Sequence, residues 1–428
     1  MSQPLRLGIA GLGTVGVGVV RIIQNHAEML TMRTGREVVI TAVSARSKVK
    51  DRGVDLSAYG WESDPVALAR RDDVDIFVEL MGGDNGPAKA ATEAAIAAGK
   101  DVVTANKAML AHHGQDLALA AEASGSVIRF EAAVAGGIPV IKALNEGLAA
   151  NRVSRVMGVM NGTCNYILTR MENAGLTYQQ AFDEADDLGY LEADPNLDVG
   201  GIDAGHKLAL LSSIAFGTQV SFDDVELEGI GSITIEDIRQ AADMGYKIKL
   251  LGVAQMSGRG LEQRMSPCLV PDTSPLGQLQ GGTNMVVIEG DAVGQIVLRG
   301  AGAGEGPTAS AVMADICDIA RGYRIPTFGQ PASTLKATKS ARASVTAPYY
   351  LRLQLIDKPG ALSKIAGVLG ECGISIDRMR QYGHEDTSAP VLIVTHKTTR
   401  QALDLAIADF AKTGVVAGDP VAIRIENL

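Results

Sequence analysis

The stretch that decides the fold is LRLGIAGLGTVGVGVVRII, which runs from Leu5 to Ile23. Its first six residues are apolar enough to predict a buried strand, and Val17 to Ile23 is typical of a helix. Between the two lies the pattern G-x-G-x-x-G, made by Gly11, Gly13 and Gly16. In a strand–turn–helix unit, these glycines permit a tight turn, close approach to a pyrophosphate and close helix–strand packing.

The turn and the helix after it are therefore predicted to bind a dinucleotide. The helix N-terminus offers free N–H groups and the positive end of its dipole to the phosphates. The alternative is a glycine turn that serves only the fold, since this fingerprint alone is weak. The predicted contact residues are Gly11, Leu12, Gly13, Thr14, Val15 and Gly16.

The next predicted strand, EVVITAVSARS, ends in a cluster of positive charges. An NAD site usually has an acid near this position to hold the ribose 2′-hydroxyl. Here the tip carries Arg46 and Lys50 and no acid, which suits a 2′-phosphate. We therefore favour NADP(H) as cofactor, with NAD(H) possible, and the alternative is a solvated basic loop.

Strands and helices continue to alternate after this point. DDVDIFVELMGG and DVVTANKAML are predicted strands, and the Ala-rich segment 87–98 between them is a predicted helix. Such alternation predicts a doubly wound α/β fold with a parallel sheet. Ligands bind beyond the carboxyl ends of its strands, where Lys107 is expected at the cofactor crevice unless it is a surface lysine.

From Phe130 the sequence changes character. FEAAVAGGIPVIKAL places Glu131 before a turn of small residues, where carbonyls and a carboxylate could hold a cation or simply mark a domain junction. NGTCNYIL follows a predicted strand and could present Asn161 and Thr163 to a ligand, although a plain strand-to-helix connection explains it equally well.

The segment LGYLEADPNLDVGGIDAGHK, from Leu188 to Lys207, gathers four carboxylates beside one lysine. Pro195 and the paired glycines exclude a continuous helix, so 192–198 is a predicted loop and a helix begins near Ile202. Asp203 and Lys207 then lie one turn apart on one face. A lysine among carboxylates suits a proton donor or an electrostatic anchor, and surplus carboxylates suit a substrate ammonium.

A second glycine-rich stretch, GAGAGEGPTA, begins at Gly300 and precedes a predicted helix. It is a candidate phosphate-facing or ribose-facing loop, with Gly304 and Glu305 as predicted cofactor contacts. If the following helix packs on the first sheet, the cofactor domain is discontinuous.

Composition narrows the function further. The net charge of −10 argues against nucleic-acid binding, and the chain contains no long apolar run that could span a bilayer. A strand begins almost at the N-terminus and leaves no room for a signal peptide, which predicts a cytoplasmic protein. The four cysteines form no metal-binding spacing.

Together these motifs closely resemble the homoserine dehydrogenase family. The resemblance covers Leu5 to about Thr338 and rests on GLGTVG, TANK, NGTCNYIL, GAGAGEGPTA and the spacing from Gly189 to Lys207. It implies reduction of L-aspartate 4-semialdehyde to L-homoserine with NAD(P)H, in threonine, methionine and isoleucine biosynthesis.

The resemblance also implies residue roles. Lys207 would donate a proton to the aldehyde oxygen and Lys107 would assist beside the nicotinamide. Glu192 and Asp203 would bind the substrate's amino group with support from Asp198, and Gly189 would touch the cofactor. A sodium-like monovalent cation would be held by Glu131, Val134, Gly136 and Ile138. Two positions depart from the family pattern, Leu191 and Cys164.

The tail is predicted to be a separate domain. Residues 331–348 are predicted to be a linker, and 349–428 follow the order βαββαβ of a ferredoxin-like fold. Its D-x-P-G turn resembles that of ACT regulatory domains, which pair between subunits and bind amino acids. We therefore expect a homodimer or homotetramer with threonine as effector, or else a module for assembly alone. Deleting the tail is predicted to leave catalysis intact.

The predicted domains are a Rossmann-type NAD(P)-binding domain over 1–130, completed by about 306–338, and an α+β catalytic and dimerisation domain over 131–305. Two other functions stay open. One is a non-catalytic regulator that binds NADP(H) and an amino acid. The other is a semialdehyde dehydrogenase that forms an acyl-enzyme on Cys164.

Overall fold

The computed structural model describes residues 3–192, 194–341, 345–381 and 388–426. The first unit contains six strands and four helices: β1 (Leu5–Ala10), α1 (Thr14–Thr34), β2 (Val38–Ser44), β3 (Gly60–Glu62), α2 (Pro65–Arg70), β4 (Ile76–Glu79), α3 (Pro87–Ala97), β5 (Asp101–Thr104), α4 (Lys107–Ser124) and β6 (Ile128–Arg129). The strands form one parallel sheet in the order β3-β2-β1-β4-β5-β6. This is the predicted doubly wound fold, and its order reverses between β1 and β4, where such sheets bind ligands.

One predicted strand in this unit extends too far. DVVTANKAML is a strand only as far as Thr104, and α4 begins at Lys107. The reason is a helix cap, because the side chain of Asn106 accepts a hydrogen bond from the backbone N–H of Met109 at 3.1 Å. The cap places Lys107 on the first turn of a helix that starts at the crevice.

The middle unit contains α5 (Val140–Lys142), β7 (Val153–Val159), α6 (Gly162–Ala174), α7 (Tyr178–Asp187), α8 (Asn196–Val199), α9 (Ile202–Phe216), β8 (Glu226–Leu227), α10 (Ile235–Asp243), β9 (Tyr246–Ser257), β10 (Gly260–Pro271), β11 (Thr283–Gly290), β12 (Gly294–Ala301) and α11 (Glu305–Ala320). The helix predicted near Ile202 is confirmed. The segment predicted as loop over 192–198 instead contains the short helix α8. Short turns of 3-10 or π type cover Glu131–Ala133, Ala143–Gly147 and Ala332–Thr334.

Helix α11 returns to the first unit and packs against α1. A Cβ atom at Gly18 would lie 2.9 Å from the Cβ of Ala309, so this glycine permits the close approach. Val312 and Ile316 share a buried cluster with the strands of the first sheet. The chain thus crosses between the two units more than once, and the crossings bring the loop of residues 302–304 and the start of α11 to the crevice.

The tail contains β13 (Tyr349–Ile356), α12 (Ala361–Glu371), β14 (Ile376–Gln381), β15 (Ser388–Thr395), α13 (Arg400–Phe410), a 3-10 turn at Ala411–Thr413 and β16 (Val421–Ile425). This is the predicted βαββαβ order. The tail's sheet is continuous with that of the middle unit, in the order β12-β11-β7-β9-β10-β16-β13-β15-β14 with β8 beside β10.

A buried ionic cluster reinforces this joint. Arg264 of β10 forms ion pairs with Glu262 and with Glu426 of the tail, and Arg424 of the tail pairs with Glu262 at 3.1 Å. All four side chains are at most one-tenth exposed. Removing the tail would therefore leave charged side chains of the catalytic unit without their partners.

The predicted linker also packs against the rest of the protein along its described part. Ala332 and Leu335 are buried, and the backbone N–H of Leu261 donates to the carbonyl of Lys339 at 3.0 Å. Residues 342–344 of this stretch lie outside the described residues. Among the helices of the described chain, none has the length and apolar character required to cross a membrane.

Candidate active site

A cavity of about 560 Å³ opens where the carboxyl edge of the first sheet meets α6, α9 and the loop before α11. Eleven residues that the sequence predicted as site residues or as facing a ligand line it: Val15, Lys107, Gly136, Asn161, Thr163, Gly189, Glu192, Asp198, Asp203, Lys207 and Gly304. The crevice predicted from the first strands and the charged segment predicted from 188–207 therefore form one site.

Asp203 lies at the centre of the charged cluster. Its Oδ2 is 2.7 Å from Nζ of Lys207 and its Oδ1 is 3.0 Å from Nζ of Lys107. Nζ of Lys207 also donates to the carbonyl of Met160 at 2.8 Å. Asp203 and Lys207 are 7% and 9% exposed, so a single buried carboxylate positions two ammonium groups at the cavity wall.

Local structure explains how distant residues meet here. Gly201, with φ of 81°, forms the left-handed turn that starts α9 and puts Asp203 and Lys207 at i and i+4. Lys107 arrives from the opposite side as the first residue of α4. The Asn106 side chain ties that helix to the carbonyl of Gly83 at 2.7 Å.

The two lysines change the ionisation of the cluster. Burial acts to raise the pKa of Asp203, but Lys207 and Lys107 outweigh it and hold that pKa below its usual value. Burial likewise acts to lower the pKa of Lys107, yet Asp203 holds it above the usual value. The Asp203–Lys107 pair therefore stays charged at neutral pH.

Asp198 and Glu192 have different environments. The buried Asp198 carboxylate accepts from Nδ2 of Asn161 at 2.8 Å and from the backbone N–H of Glu192 at 3.0 Å. The Glu192 side chain is exposed at the cavity and has no ion-pair partner among the described residues. Asp198 therefore shapes the loop, while the carboxylate of Glu192 is available to a ligand.

The N-terminal turn of α6 forms the next part of the wall. Asn161 caps this helix by accepting from the backbone N–H of Cys164 at 2.8 Å, and Thr163 donates to the carbonyl of Tyr190 at 2.9 Å. Tyr190 stacks on Tyr166 with 4.7 Å between ring centroids. The sequence offered Asn161 and Thr163 as candidates but gave no signal for Tyr190, whose position depends on this tertiary contact.

The glycine fingerprint behaves as its three roles require. A Cβ atom at Gly11 would lie 2.3 Å from the carbonyl oxygen of Leu80, and one at Gly16 would lie 2.0 Å from that of Gly11. A Cβ at Gly13 would meet nothing within 4 Å, which leaves its backbone open to a ligand. Of the predicted contacts in this turn, Val15 lines the cavity, and Gly11, Leu12, Gly13, Thr14 and Gly16 lie outside its lining.

The basic tip after β2 lies beyond the cavity. Arg46 and Lys50 are exposed and do not line the cavity. The loop is braced by Arg52, which donates to the carbonyls of Ser47 at 2.6 Å and Leu12 at 3.2 Å. Arg52 is not among the predicted cofactor contacts, and its bracing role was not predicted from the sequence.

Glu305, a predicted cofactor contact, also lies outside the cavity lining. Its carboxylate forms an ion pair with Arg21 of α1. Gly304 precedes it with φ of 114°, a conformation that favours glycine, and lines the cavity. Glu305 therefore helps to hold α11 against α1, and Gly304 is the member of this predicted pair that faces the site.

The predicted cation turn is organised around Glu131. Its two carboxylate oxygens accept from the backbone N–H groups of Ile141 at 2.9 Å and Lys142 at 2.8 Å. Burial and then Asp315 raise the pKa of Glu131 to about 7. The carboxylate is therefore engaged by the protein, and the described residues contain no cluster of three or more histidine, cysteine or acidic side chains suited to a metal.

The cysteine that an acyl-enzyme would need is unsuited to that chemistry. Cys164 is fully buried, its thiol lies 3.3 Å from the carbonyl of Asp198, and burial raises its pKa well above the usual value. Nucleophilic cysteines need a lowered pKa and access to substrate. This geometry argues against the acyl-enzyme alternative.

A Rossmann-type sheet joined to a cavity with paired lysines defines an NAD(P)-dependent oxidoreductase. The comparison with known families identifies which one. Residues 11–131 match the model for the homoserine dehydrogenase NAD-binding domain, 139–317 match that for homoserine dehydrogenase, and 349–414 match that for the ACT domain. The chain belongs to the homoserine dehydrogenase family.

Individual relatives agree along the full length. The homoserine dehydrogenase of Neisseria gonorrhoeae is 44% identical over 100% of this chain and 99% of its own length. The crystal structure of a homoserine dehydrogenase from Thiobacillus denitrificans is 41% identical, with a TM-score of 0.94 and 99% coverage of both chains. A hyperthermophilic archaeal homoserine dehydrogenase in complex with NADPH is 26% identical, covering 75% of this chain and 99% of that one, with a TM-score of 0.65.

These findings confirm the enzyme class and the reaction predicted from the sequence. The protein is an oxidoreductase that acts on the CH–OH group of L-homoserine, interconverting it with L-aspartate 4-semialdehyde, and it carries an ACT domain. The alternative of a non-catalytic regulator is not favoured.

Proposed function

We propose that Lys207 is the proton donor to the aldehyde oxygen and that Lys107 assists from the cofactor side. The observation that supports this most strongly is Asp203, whose two oxygens hold the two ammonium groups at 2.7 and 3.0 Å on one cavity wall. A bound aldehyde that carries charge on its oxygen in the transition state is stabilised by such preorganised cations. The reduced nicotinamide supplies the hydride when it is bound.

For the substrate's ammonium we propose Glu192 and Asp203 as partners, with Asp198 in a supporting role. Glu192 has a free carboxylate at the cavity, while Asp198 is already occupied by Asn161 and by the backbone of Glu192. Asp198 would therefore act by fixing the loop that presents Glu192. Gly189, which lines the same wall with φ of 72°, is proposed to touch the cofactor.

For the cofactor we propose NADP(H) over NAD(H). The fingerprint turn, with its open Gly13, fits a pyrophosphate, and Arg46 and Lys50 at the tip of β2 are exposed without ion-pair partners in the described chain. The NADPH complex of the archaeal relative is consistent with this choice. Changing Arg46 to Ala should lower the affinity for NADPH far more than the affinity for NADH, and equal losses of affinity for both cofactors would contradict a 2′-phosphate contact.

For the cation we propose a site of backbone carbonyls in the turn from Glu131 to Ile138, including those of Val134 and Gly136. The Glu131 carboxylate holds the turn, since each of its oxygens accepts a backbone N–H group, and the second lone pair on each oxygen stays available to the cation. Ala135 and Gly136 have φ of 56° and 54°, a left-handed pair of conformations that shapes this turn. Our proposal assigns the Glu131 side chain to holding the turn.

For the tail we propose an amino-acid effector, threonine, bound at the ACT domain of a homodimer or homotetramer. The cavity at the D-x-P-G turn, between Leu355 and Ser363 and bordered by Gln381, supports an effector site. A cytoplasmic location is supported by the four cysteines, which are free thiols.

One experiment tests the main proposals. Oxidation of L-homoserine would be followed by nicotinamide absorbance with NADP⁺ and with NAD⁺, each with and without threonine. We expect turnover with NADP⁺, weaker turnover with NAD⁺, and inhibition by threonine. In Lys207→Ala, kcat should fall on the order of 10²-fold or more, because a positioned proton donor is lost; near-normal kcat would remove Lys207 from that role.

A further inference from the structure

Among the described polar side chains that line the cavity, that of Asn284 has a buried atom without a hydrogen-bond partner. Asn284, the second residue of β11, is 1% exposed and lines the cavity. Its Oδ1 is buried without a hydrogen-bond partner among the described residues. A buried amide left unpaired is costly, so a ligand group that donates a hydrogen bond to this atom would gain binding free energy.

The surroundings of Asn284 place it between the two halves of the site. A Cβ atom at Gly302 would lie 2.1 Å from the Asn284 amide, so only glycine at 302 admits this side chain beside the loop before α11. Gly282, two residues before Asn284 in the chain, lies against Tyr190. A Cβ atom at Gly282 would be 3.4 Å from Cε1 of the Tyr190 ring. Asn284 therefore lies between the cofactor loop and the wall at Tyr190 on the substrate side.

The chemistry of the unpaired Oδ1 atom limits which ligand group can pair with it. Oδ1 accepts a hydrogen bond, so its partner must be a donor. The substrate's ammonium has carboxylate partners in Glu192 and Asp203, and its reacting oxygen faces the lysine Lys207. At the nicotinamide end of the cofactor, the donors are the ribose hydroxyls and the primary amide of the ring. The amide offers an N–H and a carbonyl in one plane, which complements the planar amide of asparagine.

We propose that Asn284 pairs with the nicotinamide carboxamide and sets which face of the ring meets the substrate. The inference rests on the proposed function, since it needs a nicotinamide in this cavity. It assigns a cofactor-recognition role to a residue on β11, outside the fingerprint turn and outside the charged segment 188–207. Gly302 is the position that makes room for it.

Binding of three ligands to the full chain, measured by isothermal titration calorimetry, tests this pairing. The ligands are NADP⁺, its 3-acetylpyridine analogue, in which a methyl group replaces the carboxamide NH₂, and ADP-ribose 2′-phosphate, which lacks the ring. We expect the wild-type protein to favour NADP⁺ over the analogue about tenfold, the effect of one hydrogen bond of about 1.4 kcal/mol.

In the Asn284→Leu variant, whose side chain is close in size to asparagine, the affinity for NADP⁺ should fall about tenfold. The preference for NADP⁺ over the analogue should fall below about twofold, and the affinity for ADP-ribose 2′-phosphate should not change. Asn284→Ala should give the same pattern if the larger side chain prevents folding. Asn145→Leu is the matched control, because its Oδ1 is also buried without a partner, yet it lies outside this cavity; it should change none of the three affinities.

Two results would overturn the pairing. Equal weakening of all three ligands would mean that Asn284 only supports the loop at Gly302. An unchanged ratio between NADP⁺ and the analogue would remove the carboxamide contact. If the wild-type protein fails to oxidise L-homoserine, the proposed function falls and the pairing falls with it, whereas normal wild-type turnover with an unchanged ratio overturns the pairing alone.

Discussion

Replacing Asp203 by Asn is the sharpest test of the charged cluster. The change preserves the shape of the side chain but leaves Lys207 and Lys107 without the carboxylate that they share. Losing one partner of a buried ion pair costs about 3–5 kcal/mol of folding free energy. Because the Lys107 side chain is 30% exposed and can regain water, we expect the lower end, about 3 kcal/mol.

The pH dependence of that loss carries a definite sign. The pKa of Asp203 is lowered in the folded state, so its contribution is fully present above the unfolded-state value of 3.8 and is lost as pH falls through the folded-state value. The raised pKa of Lys107 contributes below its unfolded-state value of 10.5 and is lost at higher pH. The difference between wild type and Asp203→Asn should therefore be largest between these limits and shrink in acid.

The assay is chemical denaturation of both proteins at pH 7 and at pH values below 4, with steady-state oxidation of L-homoserine in parallel. We expect KM for L-homoserine to rise strongly, because the variant removes a proposed partner of the ammonium. Asp194→Asn is the matched control, since Asp194 belongs to the same loop but is exposed and outside the cavity lining. Equal stability and equal KM in the two variants would refute the reasoning.

Three further changes test other parts of the structure. The Cys164→Ala variant should still oxidise L-homoserine, and loss of this activity would support the acyl-enzyme alternative. Burial lowers the pKa of Lys249 to about 8 from 10.5, so the unfolding free energy of the wild type should rise by about 3 kcal/mol as the pH increases between those values. In denaturation curves the Lys249→Met variant should not show this rise, and an equal rise in the variant would contradict the prediction. Deleting residues 347–428 removes Glu426 from the buried Arg264 cluster and should destabilise the catalytic unit by about 3 kcal/mol, so an unchanged denaturation midpoint would show that the joint contributes nothing.

Local patterns in the sequence predicted most of the architecture. The requirement for glycine at 16 is local, since an added Cβ there would collide with the carbonyl oxygen of Gly11, whereas the collision at Gly11 is with Leu80 of the next strand in the sheet. The spacing of Asp203 and Lys207 is likewise local, because four residues make one helical turn. The order of strands and helices in the tail followed from periodicity alone and is confirmed.

The failures of prediction share one cause. The strand predicted through 101–110 ends at Thr104 because Asn106 caps a helix, a signal that apolar periodicity does not contain. The pairing of β16 of the tail with β10 of the middle unit was also not predicted, because no local pattern encodes it. The ion pair of Glu305 with Arg21, 284 residues away in sequence, was likewise not predicted.

The sequence by itself determined the class of sheet, the glycine turn and the residue types that perform the chemistry, because each depends on neighbours within one or two turns of chain. Only the tertiary structure decided which of those residues meet. Lys107 and Lys207 are 100 residues apart and share one carboxylate because two helices begin at the same crevice. Asn284 became a candidate only when β11 brought an unpaired amide beside Gly302, since whether a buried polar atom is satisfied is a property of the packed molecule.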